Sequence, residues 1–306
     1  MSKQGEEQSQ RPVPEETPEK ANHQDESSGG QLVIQRIVIA LDATARSAQL
    51  LEAAARLAQR LNVELVGLFV EDSNLLRLSE LPFTQEVGSY SPLRRPLQLA
   101  TLERQLRSQA AALQRTIREV ATRYHVPWSF QVLRGPIATE LRKAAAATDL
   151  FVVGRSRQRH SGRAPLGSTA RAMIAEAPRL TMVLHQTTVW QPPVVVVYDG
   201  SAAAQRALYL ATRLSAAEDV PLVVVLVSEG EGNARDLRQR VTTWLHERNL
   251  RAHYQWLARA NIARLLNIVV AAQSGAVILP SNGLTPRDAA LLELLDELQC
   301  PVFLVQ

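Results

Sequence analysis

The residues best suited to chemistry lie in one stretch, DLFVVGRSRQRHSGRAPLGSTARAMIAEAP (Asp149–Pro178). A short apolar run ends at Gly154. A loop with Arg155, Arg157, Arg159 and Arg163 follows, with no acid between Gly154 and Gly162. Gly167-Ser168-Thr169 then opens a helical pattern. Glycine lets a backbone approach a ligand closely, and free N–H groups at a helix start favour an anion. Ser168 and Thr169 can add hydroxyl donors or cap the helix. Guanidinium groups match phosphate oxygens, so phosphate is the natural guest. The competing assignment is a capped helix after a solvated basic turn. Asp42, at the end of the first apolar run, can accept hydrogen bonds from ribose hydroxyls or cap the next helix.

These residues need elements that bring them together. Ile37–Leu41 reads as a strand buried on both faces, Ser47–Leu61 as a helix and Leu65–Val70 as a second strand. Leu99–Tyr124 carries apolar residues three or four apart and reads as a long amphipathic helix whose Leu stripe is core. Trp128–Leu133, Leu150–Val153 and Leu180–Leu184 read as strands, Ile137–Ala147 and Thr169–Glu176 as helices. The alternation predicts an open, parallel, Rossmann-like α/β sheet of five strands. Ligands of such sheets bind at the carboxyl ends of the strands, where Asp42, Val70 and Gly154 fall.

The pattern then repeats. Val194–Leu214 overlays Ile37–Leu57 at an offset of 157, which matches Asp42 with Asp199 and Arg56 with Arg213. Ile137 matches Ile262 at an offset of 125. The change of offset places one large length difference at Ser73–Gln98, absent from the second copy. Its Leu75, Leu76, Leu78, Leu81, Phe83, Val87 and Tyr90 are too apolar for a free loop and suit a lid, a contact surface or a fold-back onto the domain's own core. The predicted organisation is a polar, acidic, disordered tail (1–32), a first domain (33–187) and a second, degenerate domain (188–306), joined near Gln186–Pro193.

Charge follows the same division. The chain has 306 residues and a net charge of +4, but residues 1–32 carry −4, 33–187 carry +9 and 188–306 carry −1. The anionic partner therefore belongs to the first domain. The single cysteine, Cys300, excludes an internal disulfide framework and is expected to be a buried thiol. The start lacks an apolar core, and no apolar run approaches the ~20 residues that span a bilayer, so a cytoplasmic protein is expected. HExxH, GxSxG, GxGxxG after the first strand and GxxxxGK[ST] are all missing, so zinc hydrolysis, acyl transfer, hydride transfer and P-loop ATPase action lack a basis. His160 in the basic loop reads as an exposed side chain.

Both copies resemble the universal stress proteins, and the order of the copies resembles a tandem-domain member. ATP-binding members share Gly, two residues, Gly, nine residues, then Gly-Ser or Gly-Thr. Here Gly154, Arg155-Ser156, Arg157, nine residues and Gly167-Ser168 keep the spacing, with Arg157 in place of the second Gly. The resemblance implies that Ala40, Asp42 and Val70 line the adenine and ribose end, with Val153, Gly154, Gly167, Ser168 and Thr169 facing the phosphates. Arg157 would either strain the loop or contact phosphate directly. It implies an ATP or related adenine nucleotide site, with Mg²⁺ carried on phosphate oxygens. The expected role is stress-response regulation, with at most slow ATP hydrolysis and no catalytic residues. Pairing of the two copies within one chain through Leu180–Leu184 and Val302–Val305 is also implied, with further homodimer formation left open.

The second copy ends its fourth strand in PSNGLTPRDAALLELLDELQCP, without the Gly or the Gly-Ser, so one nucleotide site per chain is expected. Two rivals stand beside this. One is a non-binding module meeting an unknown protein partner through 73–98. The other is nucleic-acid binding by the +9 domain, disfavoured because aromatics are only 5% and stacking is poorly supplied. No membrane partner is expected.

Overall fold

A computed structural model describes residues 32–44, 46–81, 85–87, 94–96, 98–154, 180–184, 193–215, 222–258, 261–281 and 289–306. Residues 1–31 of the predicted tail, most of the linker, the Arg-bearing loop and the Thr169–Glu176 helix lie outside them; Leu32, placed in the disordered tail by the sequence, is instead buried in the core of the first half. The chain opens with β1 (Arg36–Leu41), α1 (Arg46–Leu61) and β2 (Glu64–Asp72). A short helix α2 (Ser73–Ser79) and a hairpin of β3 (Gln85–Val87) and β4 (Arg94–Pro96) follow. Then come α3 (Leu99–Arg123), β5 (Trp128–Gly135), α4 (Ile137–Ala146), β6 (Leu150–Gly154) and β7 (Leu180–Leu184). The second half holds β8 (Val194–Tyr198), α5 (Ala202–Ser215), β9 (Leu222–Ser228), α6 (Glu231–His246) and β10 (Ala252–Ala258), closing with α7 (Ile262–Ala271), β11 (Ala276–Pro280), α8 (Ala289–Glu297) and β12 (Val302–Val305).

Ten strands form one sheet in the order β10-β9-β8-β11-β12-β7-β6-β1-β2-β5. Each half alone runs third, second, first, fourth, fifth strand. All pairs are parallel except β12 with β7, which meet antiparallel at the centre. The repeat read from sequence holds at the level of single pairs: Val38 lies beside Val66 in one half, and Val195 beside Val223 in the other. Helices α4 and α7 begin at Ile137 and Ile262, the residues matched at the second offset.

Strand residues alternate between two helical layers, which is why these strands read as continuous apolar runs. Ile37, Ile39 and Leu41 face the layer of α1, α3, α5 and α6. Val38 faces α4, α7 and α8, with Ala40 packed against the same cluster. Four helices end on a residue in the left-handed region, Asn62, His125, Asn249 and Gln273. In each case the next N–H returns to the last turn, as Val63 does to the Ala58 carbonyl (3.0 Å), so the stop is sharp without glycine.

The two halves close on each other through the β7–β12 ladder, where Phe303 faces Met182 and Leu304 faces Thr181. Phe303 is fully buried. Arg213 of α5 adds a bond across the halves, donating to the Leu61 carbonyl at the end of α1 (3.0 Å). This is the intrachain pairing anticipated from the terminal strands.

Thr181 is fully buried in this junction, and its hydroxyl finds no hydrogen-bond partner among the described residues. An unmet buried hydroxyl costs about 1–3 kcal/mol. Thr181→Val, nearly the same shape, is therefore expected to raise unfolding stability by about 1 kcal/mol in urea titration. A loss of stability would show that the hydroxyl has a partner.

The inserted segment has elements of its own, α2 and a hairpin. Contrary to the sequence expectation, 73–98 does not hold the whole length difference, because α3 has 25 residues against 16 in α6. The extra turns extend the apolar stripe through Leu102 and Leu106, giving α2 a surface to lie on. Leu76 of α2 is buried, whereas Leu75, Leu78 and Leu81 are 38%, 49% and 56% exposed. Phe83 and Tyr90 lie outside the described residues. Cys300 is partly buried rather than buried, and desolvation pushes its thiol up to about 11. No described helix is long and apolar enough to cross a membrane.

Candidate functional site

The site predicted from sequence begins where the strand order reverses. From β1 the chain leaves over one face of the sheet, through α1, to β2. From Gly154 at the end of β6 it leaves to return as β7 on the other side. Ile39 is level with Val152, so continuing the register sets Leu41 level with Gly154 and Asp42 just beyond. In open α/β sheets such a point, outside the carboxyl ends of the strands, is where ligands bind.

Asp42 is exposed at this rim. Its Oδ1 accepts the Thr44 N–H (3.2 Å) and the Thr44 hydroxyl (2.5 Å). The Ser47 hydroxyl, nearly fully buried, accepts the Asp42 N–H (3.1 Å). It donates either to the Asp42 carbonyl (2.6 Å) or to Oδ1 (2.8 Å). Asp42 therefore organises the turn into α1, and none of the described hydrogen bonds uses Oδ2. Thr44 and Ser47 were missed in the sequence. Their spacing from Asp42, two and five residues on, is the signal of a side-chain-supported helix start.

Gly154 has a structural reason of its own. A Cβ there would overlap the Leu50 side chain of α1, so the glycine lets that helix lie close to the end of β6. Because the atoms met are the end of the half-buried Leu50 side chain, which can swing aside, Gly154→Ala is expected to cost no more than about 1 kcal/mol in thermal denaturation. A larger loss would show that Leu50 is held in place.

The other described site residues fall on one face. Ala40 and Val70 are partly buried against the α4 layer, and the Val153 side chain is buried in the same cluster. Arg157, Gly167, Ser168 and Thr169 lie outside the described residues, as do Arg155, Arg159, Arg163 and His160. Among the described residues, no group of three or more His, Cys, Asp or Glu is placed to hold a metal ion.

The second half is arranged differently at the same rim. Asp199 accepts the Ser201 N–H on Oδ1 (2.9 Å), and the Ser201 hydroxyl accepts the Ala204 N–H (3.1 Å). Gly200 takes φ +85°, where a side chain would be strained and would also approach Leu237. The first half has Ala43 at that place. Where β6 ends in Gly154, β11 ends in Pro280, which has no N–H to offer an anion. Ser281 then ties the strand end down by donating to the Val305 carbonyl (2.7 Å).

A chain of two five-stranded α/β units fused edge to edge through one antiparallel step, each with a reversal of strand order, defines a class of tandem α/β protein. Residues 34–185 match the universal stress protein family, and the chain belongs to that family. A universal stress protein from Archaeoglobus fulgidus DSM 4304 superposes with a TM-score of 0.71 at 15% identity, over 89% of this chain and 98% of that one. A protein of unknown function from Pseudomonas aeruginosa PAO1 superposes at 0.57 and 12% identity, over 90% and 93%. At such identities the likeness speaks for the fold alone. Comparison with curated proteins by sequence produced no match.

Proposed function

We propose that this protein binds ATP or a related adenine nucleotide at the carboxyl rim of its first half, as a regulatory binder rather than a catalyst. The observation that supports this most is the reversal of strand order, which sets Asp42, with Oδ2 outside all described hydrogen bonds, beside Gly154. In this assignment Asp42 takes the ribose hydroxyls, Ala40 and Val70 border the adenine, and the backbone from Val153 and Gly154 leads to the phosphates. Arg157, Gly167, Ser168 and Thr169 supply the remaining phosphate contacts, with Mg²⁺ on the phosphate oxygens. Membership of the universal stress family supports the same ligand class.

Pro280 and the Ser281–Val305 bond favour one site per chain. The division at 33–187 and 188–306 assigns binding to the first domain and a structural role to the second. Equilibrium dialysis of the full chain with labelled ATP and Mg²⁺ tests both statements. One nucleotide retained per chain is the expected outcome. Two equivalent sites would overturn the role given to the second half.

No retention at millimolar nucleotide would overturn the nucleotide reading. It would favour an interaction module acting through 73–98. That second reading rests on the exposed Leu75 and Leu78 of α2 and on the exposed Leu81 just beyond its end.

A further inference from the structure

The ten-stranded sheet ends at β10, which pairs only with β9 among the described residues. The direction of its backbone groups follows from one bond, the Leu222 N–H donating to the Arg251 carbonyl (2.9 Å). In a parallel ladder, residues bonding inward alternate with residues whose N–H and C=O both point away. Arg251, His253, Gln255 and Leu257 therefore serve β9. Ala252, Tyr254, Trp256 and Ala258 present their N–H and C=O groups along the outer edge.

Natural sheets guard such an edge with charge, proline, bulges or a covering segment. The other end of this sheet is guarded. Strand β5 carries Arg134 on its outward set, paired with Glu103 (3.0 Å), and α2 lies against it. Strand β10, AHYQWLA, has neither Lys, Arg nor Pro, and its Trp256 is 37% exposed. The second half also lacks any counterpart of the 73–98 segment.

A groove flanks this edge on each face of the sheet. One, of about 510 Å³, lies beside α6 and is lined by Leu245, His246, Arg251 and Tyr254 among others. The second, of about 500 Å³, lies beside α7 and includes His253, Gln255, Arg264 and Ile268. An added strand sends successive side chains to opposite faces, so two grooves straddling one edge suit alternate residues of an extended peptide. The basic side chains lining them are Arg251, Arg264, His246 and His253, and no described carboxylate lines either groove. A second copy docked by two-fold symmetry would set these bases against their own equivalents, which disfavours self-pairing.

We propose that the outer edge of β10 is a docking site for an extended, acidic segment of a partner protein, added to the sheet as an eleventh strand. The test uses the full chain at low salt with the peptide acetyl-Glu-Val-Glu-Val-Glu-Val-Glu-amide and its Lys-for-Glu counterpart. Hydrogen exchange resolved to single amides is the readout. The acidic peptide should slow exchange at Tyr254, Trp256 and Ala258 at least tenfold, while His253, Gln255 and Leu257, already bonded to β9, change little.

The Lys peptide should have no such effect, and methylating the acidic peptide's nitrogens on its bonding edge should abolish it. Trp256→Pro, which removes one outward backbone donor and the indole bond to Ser228 but none of the backbone bonds to β9, should also remove the protection. Unchanged exchange with the acidic peptide, or equal protection by the Lys peptide, would overturn the proposal. Protection of the outward amides that rises with protein concentration in the absence of peptide would also overturn it, since the occupant would then be a second copy.

Discussion

Replacing Asp42 by Asn is expected to weaken ATP binding by about ten- to a hundredfold while leaving the fold nearly as stable as before. The side-chain oxygen of Asn can still accept from Thr44 and Ser47, the bonds Asp42 makes through Oδ1. What disappears is the charged acceptor at Oδ2, and a hydrogen bond to a charged group contributes about 1.5–3 kcal/mol. Asp42→Ala removes both functions. Binding should fall by at least as much, and stability should drop by about 1 kcal/mol with the loss of the helix-start bonds. Dialysis and thermal denaturation on the two variants separate the roles. Wild-type affinity in Asp42→Asn would show that the carboxylate does not hold the ribose. That outcome would leave the turn into α1 as the whole purpose of the residue.

Phe303→Ala is expected to be the most damaging single substitution outside the rim. Phe303 is fully buried, among the largest side chains without solvent contact, and faces Met182 across the antiparallel step that joins the halves. Truncating such a residue removes its transfer free energy and leaves a cavity that the neighbouring strands cannot close, a loss of about 3–5 kcal/mol. The urea midpoint should shift accordingly. A drop below about 1 kcal/mol would show that the junction relaxes into the space, and that the halves depend on each other less than the continuous sheet indicates.

Much of the architecture was legible because its signals are local and repeated. The β-branched runs at Ile37–Leu41 and Val194–Tyr198 and the Leu spacing of Leu99–Tyr124 need no tertiary information. The two offsets reproduce registers and helix starts that the structure sets to the residue. The terminal strands that join the halves were identified through family resemblance and lie where that implied. What was not legible depended on partners far away in sequence. That Gly154 also makes room for the Leu50 side chain is invisible until α1 is seen against β6. The 73–98 segment leaves lid, contact surface and fold-back open until the lengthened α3 is seen to supply a surface for α2. The open edge of β10 has no signature at all, since an edge strand differs from an inner one only in what lies beside it.

By itself the sequence determined a duplicated α/β chain, a basic first half, and an Asp–Gly rim in that half with no equivalent glycine in the second. Hydrophobic periodicity, repeat offsets and residue chemistry are properties of the chain order, so they survive without coordinates. Only the tertiary structure decided that Asp42 spends one carboxylate oxygen on its own turn, that Gly154 admits a helix, and that the sheet ends in one guarded edge and one open edge. Each of these is settled by which atoms compete for the same space or the same hydrogen bond, and that competition exists only once the strands are side by side.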